Sequence, residues 1–180
     1  MEIKIVSIDT MTLSDIVEPC RTCCYWECRE QFSHGKHIEQ ETKLKAEWFE
    51  KTQVDFNPCG KALYVNDVPA AYCQYAPPKY IPDISEYDEL VKHVDMSGVF
   101  ISCLFVPAQR RLGLGRRLLE EVIDEVSDRR FRVIETYGRN DSSDYCSGPT
   151  QFYLAHGFTV VATQVFPNGV SLSLVRHVLP

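Results

Sequence analysis

Residues 99–117 read VFISCLFVPAQRRLGLGRR, and the fold turns on where a strand ends and a helix begins inside them. Val99 to Val106 is a short apolar run rich in β-branched and aromatic side chains, and Pro107 stops it, so the pattern predicts a buried strand ending in a turn. Beyond it Leu114, Leu118, Leu119, Val122, Ile123 and Val126 share one face at helical spacing. Arg110, Arg111, Arg116 and Arg117 crowd the start of this helix, while Glu120, Glu121, Asp124, Glu125 and Asp128 follow. That order opposes the helix macrodipole, which penalises each cation at an N-terminus by about 0.3 to 1 kcal/mol. Gly113 and Gly115 remove side chains just where the unpaired N–H groups of a first turn point outward. The simplest reading is a cradle for a pyrophosphate.

Spacing narrows the kind of cradle. A dinucleotide fingerprint needs a third glycine where Leu118 stands, and a P-loop needs Lys-Ser/Thr after a glycine where Arg116 follows Gly115. Neither pattern fits.

The rest of the chain bounds the answer. A length of 180 residues, 44% hydrophobic and 24% charged, suits a single domain spanning 1–180 with a sizeable core. The formal charge of -6 argues against a nucleic-acid partner. Charge is uneven: residues 1–108 carry 10 Lys/Arg against 17 Asp/Glu, whereas 109–180 carry 9 against 8. The N-terminus alternates Ile3 and Ile5 with polar residues, as a strand and not a signal peptide does, and no run approaches membrane-spanning length. The expectation is a cytoplasmic protein with no membrane partner, monomeric or homodimeric, whose eight cysteines are thiols or metal ligands and not disulfides.

Helices are expected from Thr12 to about Phe32, interrupted at Pro19, and from about Ile38 to Gln53, with Leu44, Trp48 and Ala46 or Phe49 as the apolar stripe and Glu41 and Lys45 as an i,i+4 pair. Strands are expected over Lys61–Val65 and Pro69–Tyr75, joined at Asn66-Asp67. A long connection over 76–97 holds a short helix near Glu86 to His93. After the cradle helix come a strand over Phe131–Tyr137, a polar loop, two helical turns from Thr150 to His156, and two strands, Phe158–Phe166 and Val170–Val178, closed by Pro167-Asn168-Gly169.

Arg110-x-x-Gly113-x-Gly115 resembles the Arg/Gln-x-x-Gly-x-Gly/Ala signature of the GNAT superfamily of N-acetyltransferases, and Tyr153 to Phe158 resembles that family's Tyr-x-x-x-Gly-Phe ending. The element order also matches. The resemblance implies an α/β (α+β) fold with a central mixed, mostly antiparallel sheet flanked by helices, and an acetyltransferase using acetyl-CoA as co-substrate. It further implies that Arg110, Arg111, Leu112, Gly113, Leu114, Gly115 and Arg116 hold the pyrophosphate of coenzyme A, while the backbone of Leu104, Phe105 and Val106 pairs with its pantetheine arm. Direct acyl transfer to an amine needs a stabilised oxyanion, a proton for the departing thiolate and a base for the amine. Tyr153 is the expected acid by the same resemblance. The strand before the cradle offers only Ser102 and Cys103 as polar groups, so Glu27 on the early helix, or a carboxylate of the 83–95 loop, is the expected base. The acceptor, a small-molecule or peptidic amine, is expected to be cationic because the excess carboxylates lie in the half that would surround it. An acyl-CoA-binding regulator without turnover is the alternative.

Cys20, Cys23, Cys24 and Cys28 form the most individual segment. On a helix, positions 20, 24 and 28 share a face but spread too far along the axis for one ion, so no metal is expected even with His34, His37 or Cys59 nearby. The rival is a metal or redox interaction module built on these thiols.

Overall fold

The computed structural model describes all residues except 34, 86, 88–90, 108–111 and 143–146. Seven strands, β1 (Ile3–Ser7), β2 (Gly60–Val65), β3 (Val68–Ala76), β4 (Val99–Phe105), β5 (Val133–Arg139), β6 (Thr159–Val165) and β7 (Ser171–Val178), form one sheet in the order β1-β2-β3-β4-β5-β7-β6. All neighbours are antiparallel except β4 and β5, which run parallel. Among the described residues three α-helices flank it: α1 (Ile38–Gln53), α2 (Leu114–Asp128) and α3 (Thr150–Leu154). The β2–β3 hairpin turns through Asn66 and Asp67, both at positive φ, the backbone that a two-residue turn of the primed type requires.

Alternation along the strands sorts the two faces. A side chain at Gly60 would meet Phe49 of α1 and Tyr72, whereas Lys61, the next residue, reaches Glu121 and Glu125 of α2 at 3.1 and 2.8 Å. Hence α1 covers one face and α2 the other. Leu114, Leu118, Leu119, Val122 and Val126 of α2 are all buried, with Ile123 packed at the margin. Phe152 of α3 lies against Gly115, so α3 shares the α2 face.

Two expectations fail. Residues 12–32 are not helical: only short 3-10 turns at Leu13–Asp15 and Arg29–Gln31 interrupt an irregular segment. Pro19 removes a backbone donor, and the stretch around it, rich in Cys and Thr, has modest helix propensity, so tertiary packing decides its path. The cysteines therefore do not form a helical row. Second, Glu41 and Lys45 of α1 are buried and do not pair with each other, while Leu44 is only half-buried. The helix expected near Glu86 to His93 falls largely outside the described residues. Among those described, no helix is long and apolar enough to cross a membrane.

Candidate functional site

β4 and β5 are joined through Val99↔Ile134 and Phe100↔Glu135. One residue further along, the Thr136 hydroxyl donates to the Ile101 carbonyl at 2.8 Å, and then the strands diverge. On the β5 side of the opening, Arg139 N–H donates to the Gly148 carbonyl at 3.1 Å and the Ser147 hydroxyl to the Tyr137 carbonyl at 2.7 Å. On the β4 side stand Leu104, buried, and Phe105 and Val106, half-buried. Gly148 has φ +77°, and a side chain there would meet the Tyr153 ring at 3.6 Å and the Leu104 carbonyl at 4.0 Å, so the wedge is narrow at this point.

The start of α2 opens beside the same end of β4. Gly113 caps it in the left-handed conformation at φ +74°, with no side-chain cap hydrogen bond and nothing within 4 Å of a would-be Cβ. Gly115 packs beneath it: a side chain there would lie 3.5 Å from Val106 and 3.6 Å from Phe152. Leu114 is buried and Leu112 exposed. Arg116 and Arg117 are exposed, and Arg116 donates to Glu120 at 2.8 Å. The first-turn N–H groups thus face outward over two glycines with cations nearby, an arrangement suited to a phosphate. Arg110 and Arg111 lie outside the described residues.

On the α1 face, next to the wedge, is a cavity of about 350 Å³. Its walls are Cys20, Cys23, Tyr25, Trp26 and Phe32 from the irregular segment, and its polar end is Glu27, Lys45, Gln74 and Ser102. A bulge builds that end. Gln74 pairs with Cys103 and Tyr75 with Ile101, so Ser102 is the extra residue, and the break in alternation lets both Ser102 and Cys103 line the cavity. Lys45 Nζ donates to Glu27 Oε1 at 2.5 Å and to Gln74 Oε1 at 2.9 Å. Gln74 Nε2 donates to Glu27 Oε1 and to the Ser102 hydroxyl, and the Tyr72 hydroxyl donates to Gln74 Oε1 at 2.9 Å. Burial acts to lower the Lys45 pKa, but the Glu27 carboxylate outweighs it, so the ammonium is held above its ordinary range.

Of the expected catalytic pair, Glu27 sits inside the cavity, its side chain 1% exposed. It stands on the irregular segment, not on a helix, and both of its bonds to Lys45 and Gln74 use Oε1. Tyr153 reaches the wedge from the opposite face, fully buried, and its hydroxyl donates to the Ser147 carbonyl at 2.5 Å. Burial pushes this phenol well above the usual tyrosine range. Lys45 and Gln74 escape a reading of the sequence, because a lysine in an i,i+4 pattern with a glutamate looks like solvent-facing charge. Asn140 is structural, donating to the hydroxyls of Ser171 and Ser173 at 3.0 Å each. Cys20 and Cys24 are buried, Cys23 and Cys28 half-buried. Among the described residues, no group of three or more His, Cys, Asp or Glu side chains is placed to hold a metal ion.

No family model matches the chain. No curated protein matches it in sequence. Solved structures do match in shape. The PaiA N-acetyltransferase of Thermoplasma acidophilum, in complex with coenzyme A, is 13% identical with TM-score 0.62 over 99% of both chains. An N-acetyltransferase of Staphylococcus aureus Mu50 is 13% identical with TM-score 0.66 over 100% of both. The yncA structure of Salmonella typhimurium with its cofactor acetyl-CoA is 20% identical with TM-score 0.64, covering 99% of this chain and 94% of that one.

Proposed function

We propose, from a chain that has the fold of GNAT N-acetyltransferases, that it transfers an acetyl group from acetyl-CoA directly to an amine held in the α1-face cavity. The observation that carries this reading is the convergence, at the end of β4, of three features: the opening between β4 and β5, the outward-facing first turn of α2, and a cavity lined by the bulged Ser102 and Cys103. The pyrophosphate lies on the backbone of 112–116 with the arginines Arg110, Arg111 and Arg116 as counter-charge. The pantetheine arm follows Leu104, Phe105 and Val106 into the wedge, and a backbone N–H of that stretch receives the oxyanion. That solved structures of this fold carry coenzyme A or acetyl-CoA supports the donor.

Tyr153 is the proposed proton donor. Its buried phenol keeps its proton at working pH, and a thiolate leaving along β4 competes with the Ser147 carbonyl for it through a charge-assisted bond. Glu27 is the proposed acceptor of the amine proton through Oε2, which neither Lys45 nor Gln74 uses. The acceptor is an amine that is cationic in solution, so its neutral fraction sets the rate, and turnover rises toward alkaline pH.

Release of free coenzyme A thiol from acetyl-CoA across a panel of cationic, neutral and anionic acceptors tests the proposal. Turnover confined to amines, growing with pH, is expected. Binding of acetyl-CoA with no thiol release from any amine would make the protein a regulator and not an enzyme, and turnover of neutral or anionic acceptors alone would overturn the acceptor assignment.

A further inference from the structure

The cavity wall contains chemistry that acyl transfer does not use. Cys20 Sγ and Cys103 Sγ lie 3.0 Å apart, one on the irregular segment and the other on β4, separated by 83 residues in sequence. Only about 1 Å more than a disulfide bond of ~2.05 Å separates them. We propose that Cys20 and Cys103 form a dithiol modification site that small hydroperoxides convert to a disulfide.

Proximity and access select this pair. Both thiols line the cavity, and Cys103, 7% exposed against 1% for Cys20, is the one an entering oxidant meets first. The thiolate is the form that attacks peroxide oxygen, and the Lys45 ammonium lines the same cavity. In the first step Cys103 sulfur attacks the terminal oxygen of ROOH, the O–O bond breaks, and ROH leaves with Cys103 as a sulfenic acid. In the second, Cys20 sulfur attacks the sulfenic sulfur, the S–O bond breaks, and water leaves. Two thiols and one hydroperoxide thus give one disulfide, one alcohol and one water. The product ties the irregular segment to the bulge of β4 and fixes one wall of the cavity.

The test treats the reduced full-length protein with tert-butyl hydroperoxide, with neither acetyl-CoA nor amine present, so its outcome is independent of the proposed acyl transfer. An intact mass lower by 2 Da, a peptide map joining residue 20 to residue 103, and restoration of both thiols by dithiothreitol are expected. The Cys20→Ala protein should instead gain 16 Da at Cys103, trapped by dimedone, and Cys103→Ser should form no bond to residue 20. Because wild-type mapping alone decides, a variant that folds poorly does not protect the proposal. Free alkylation of Cys20 and Cys103 after oxidation, or a disulfide joining Cys20 to Cys23, overturns it.

Discussion

Lys45 stands in the middle of α1 as a cation with almost no water around it, satisfied by Glu27 and Gln74. Breaking a buried ion pair from one side costs far more than the pair is worth, because the remaining charge is stranded. Lys45→Met should therefore destabilise the protein by about 3–5 kcal/mol. Glu27→Gln combined with Lys45→Met should recover part of that loss, and a double-mutant cycle by urea denaturation measures the coupling. Tyr153→Phe tests a different property of a single atom. It should lower turnover by roughly tenfold to a thousandfold with acetyl-CoA affinity nearly unchanged, as expected of a group used in the transition state. Wild-type turnover would return Tyr153 to a packing residue hydrogen-bonded to Ser147. Residues of this kind are where the sequence is hardest to read. The Gly113 and Gly115 spacing advertises its backbone role, and Tyr153 stands in a recognisable motif, but nothing in the neighbours of Lys45 announces that its partner is 18 positions away.

Among the elements, α1 depends on a loop it must pin. The Ser33 N–H, the Ser33 hydroxyl and the Gly35 N–H all donate to Glu41 Oε1, at 2.8, 2.9 and 3.2 Å. Burial works against this carboxylate, but those donors outweigh it and hold its pKa below the usual value near 4.5. A depressed folded-state pKa stabilises the fold above the unfolded value, and the contribution disappears as pH falls through the folded one. Thermal melting should accordingly drop more steeply below pH 4.5 in the wild type than in Glu41→Gln, which starts lower and has less to lose. Regular elements were legible where periodicity was strong: α1, α2 and the β2–β3 hairpin stand where the apolar pattern places them. Residues 12–32 were not, because their path is set by what they pack against. Trp26, for example, stacks on Tyr137 with planes 12° apart and meets Phe100 edge-on, long-range contacts that no local pattern encodes. The bulge at Ser102 was equally hidden, since a single extra residue leaves an apolar run looking unbroken.

For the molecule as a whole, the cofactor is expected to act as part of the fold. Acetyl-CoA at a hundredfold its dissociation constant should stabilise the protein by about 2.7 kcal/mol. Gly115→Glu should abolish the shift by forcing a carboxylate between the first turn of α2 and Val106 and Phe152, beside the proposed phosphate position, and added salt should diminish it in the wild type. Thermal scans with and without the ligand measure both, and an unchanged melting temperature at saturation would count against the cradle. The short junction of β4 with β5 carries a mechanical implication. β1 to β4 and β5 to β7 behave as two plates meeting along a seam, stitched among the described residues by Val99–Ile134, Phe100–Glu135 and the Thr136 hydroxyl. Tension applied across the sheet concentrates on those few stitches, whereas the long antiparallel ladder between β5 and β7 shares its load along the whole strand. If acetyl-CoA seats between the plates as proposed, it acts as mortar in that joint, and pulling β4 away from β5 in a single-molecule experiment should take more force with the ligand than without it.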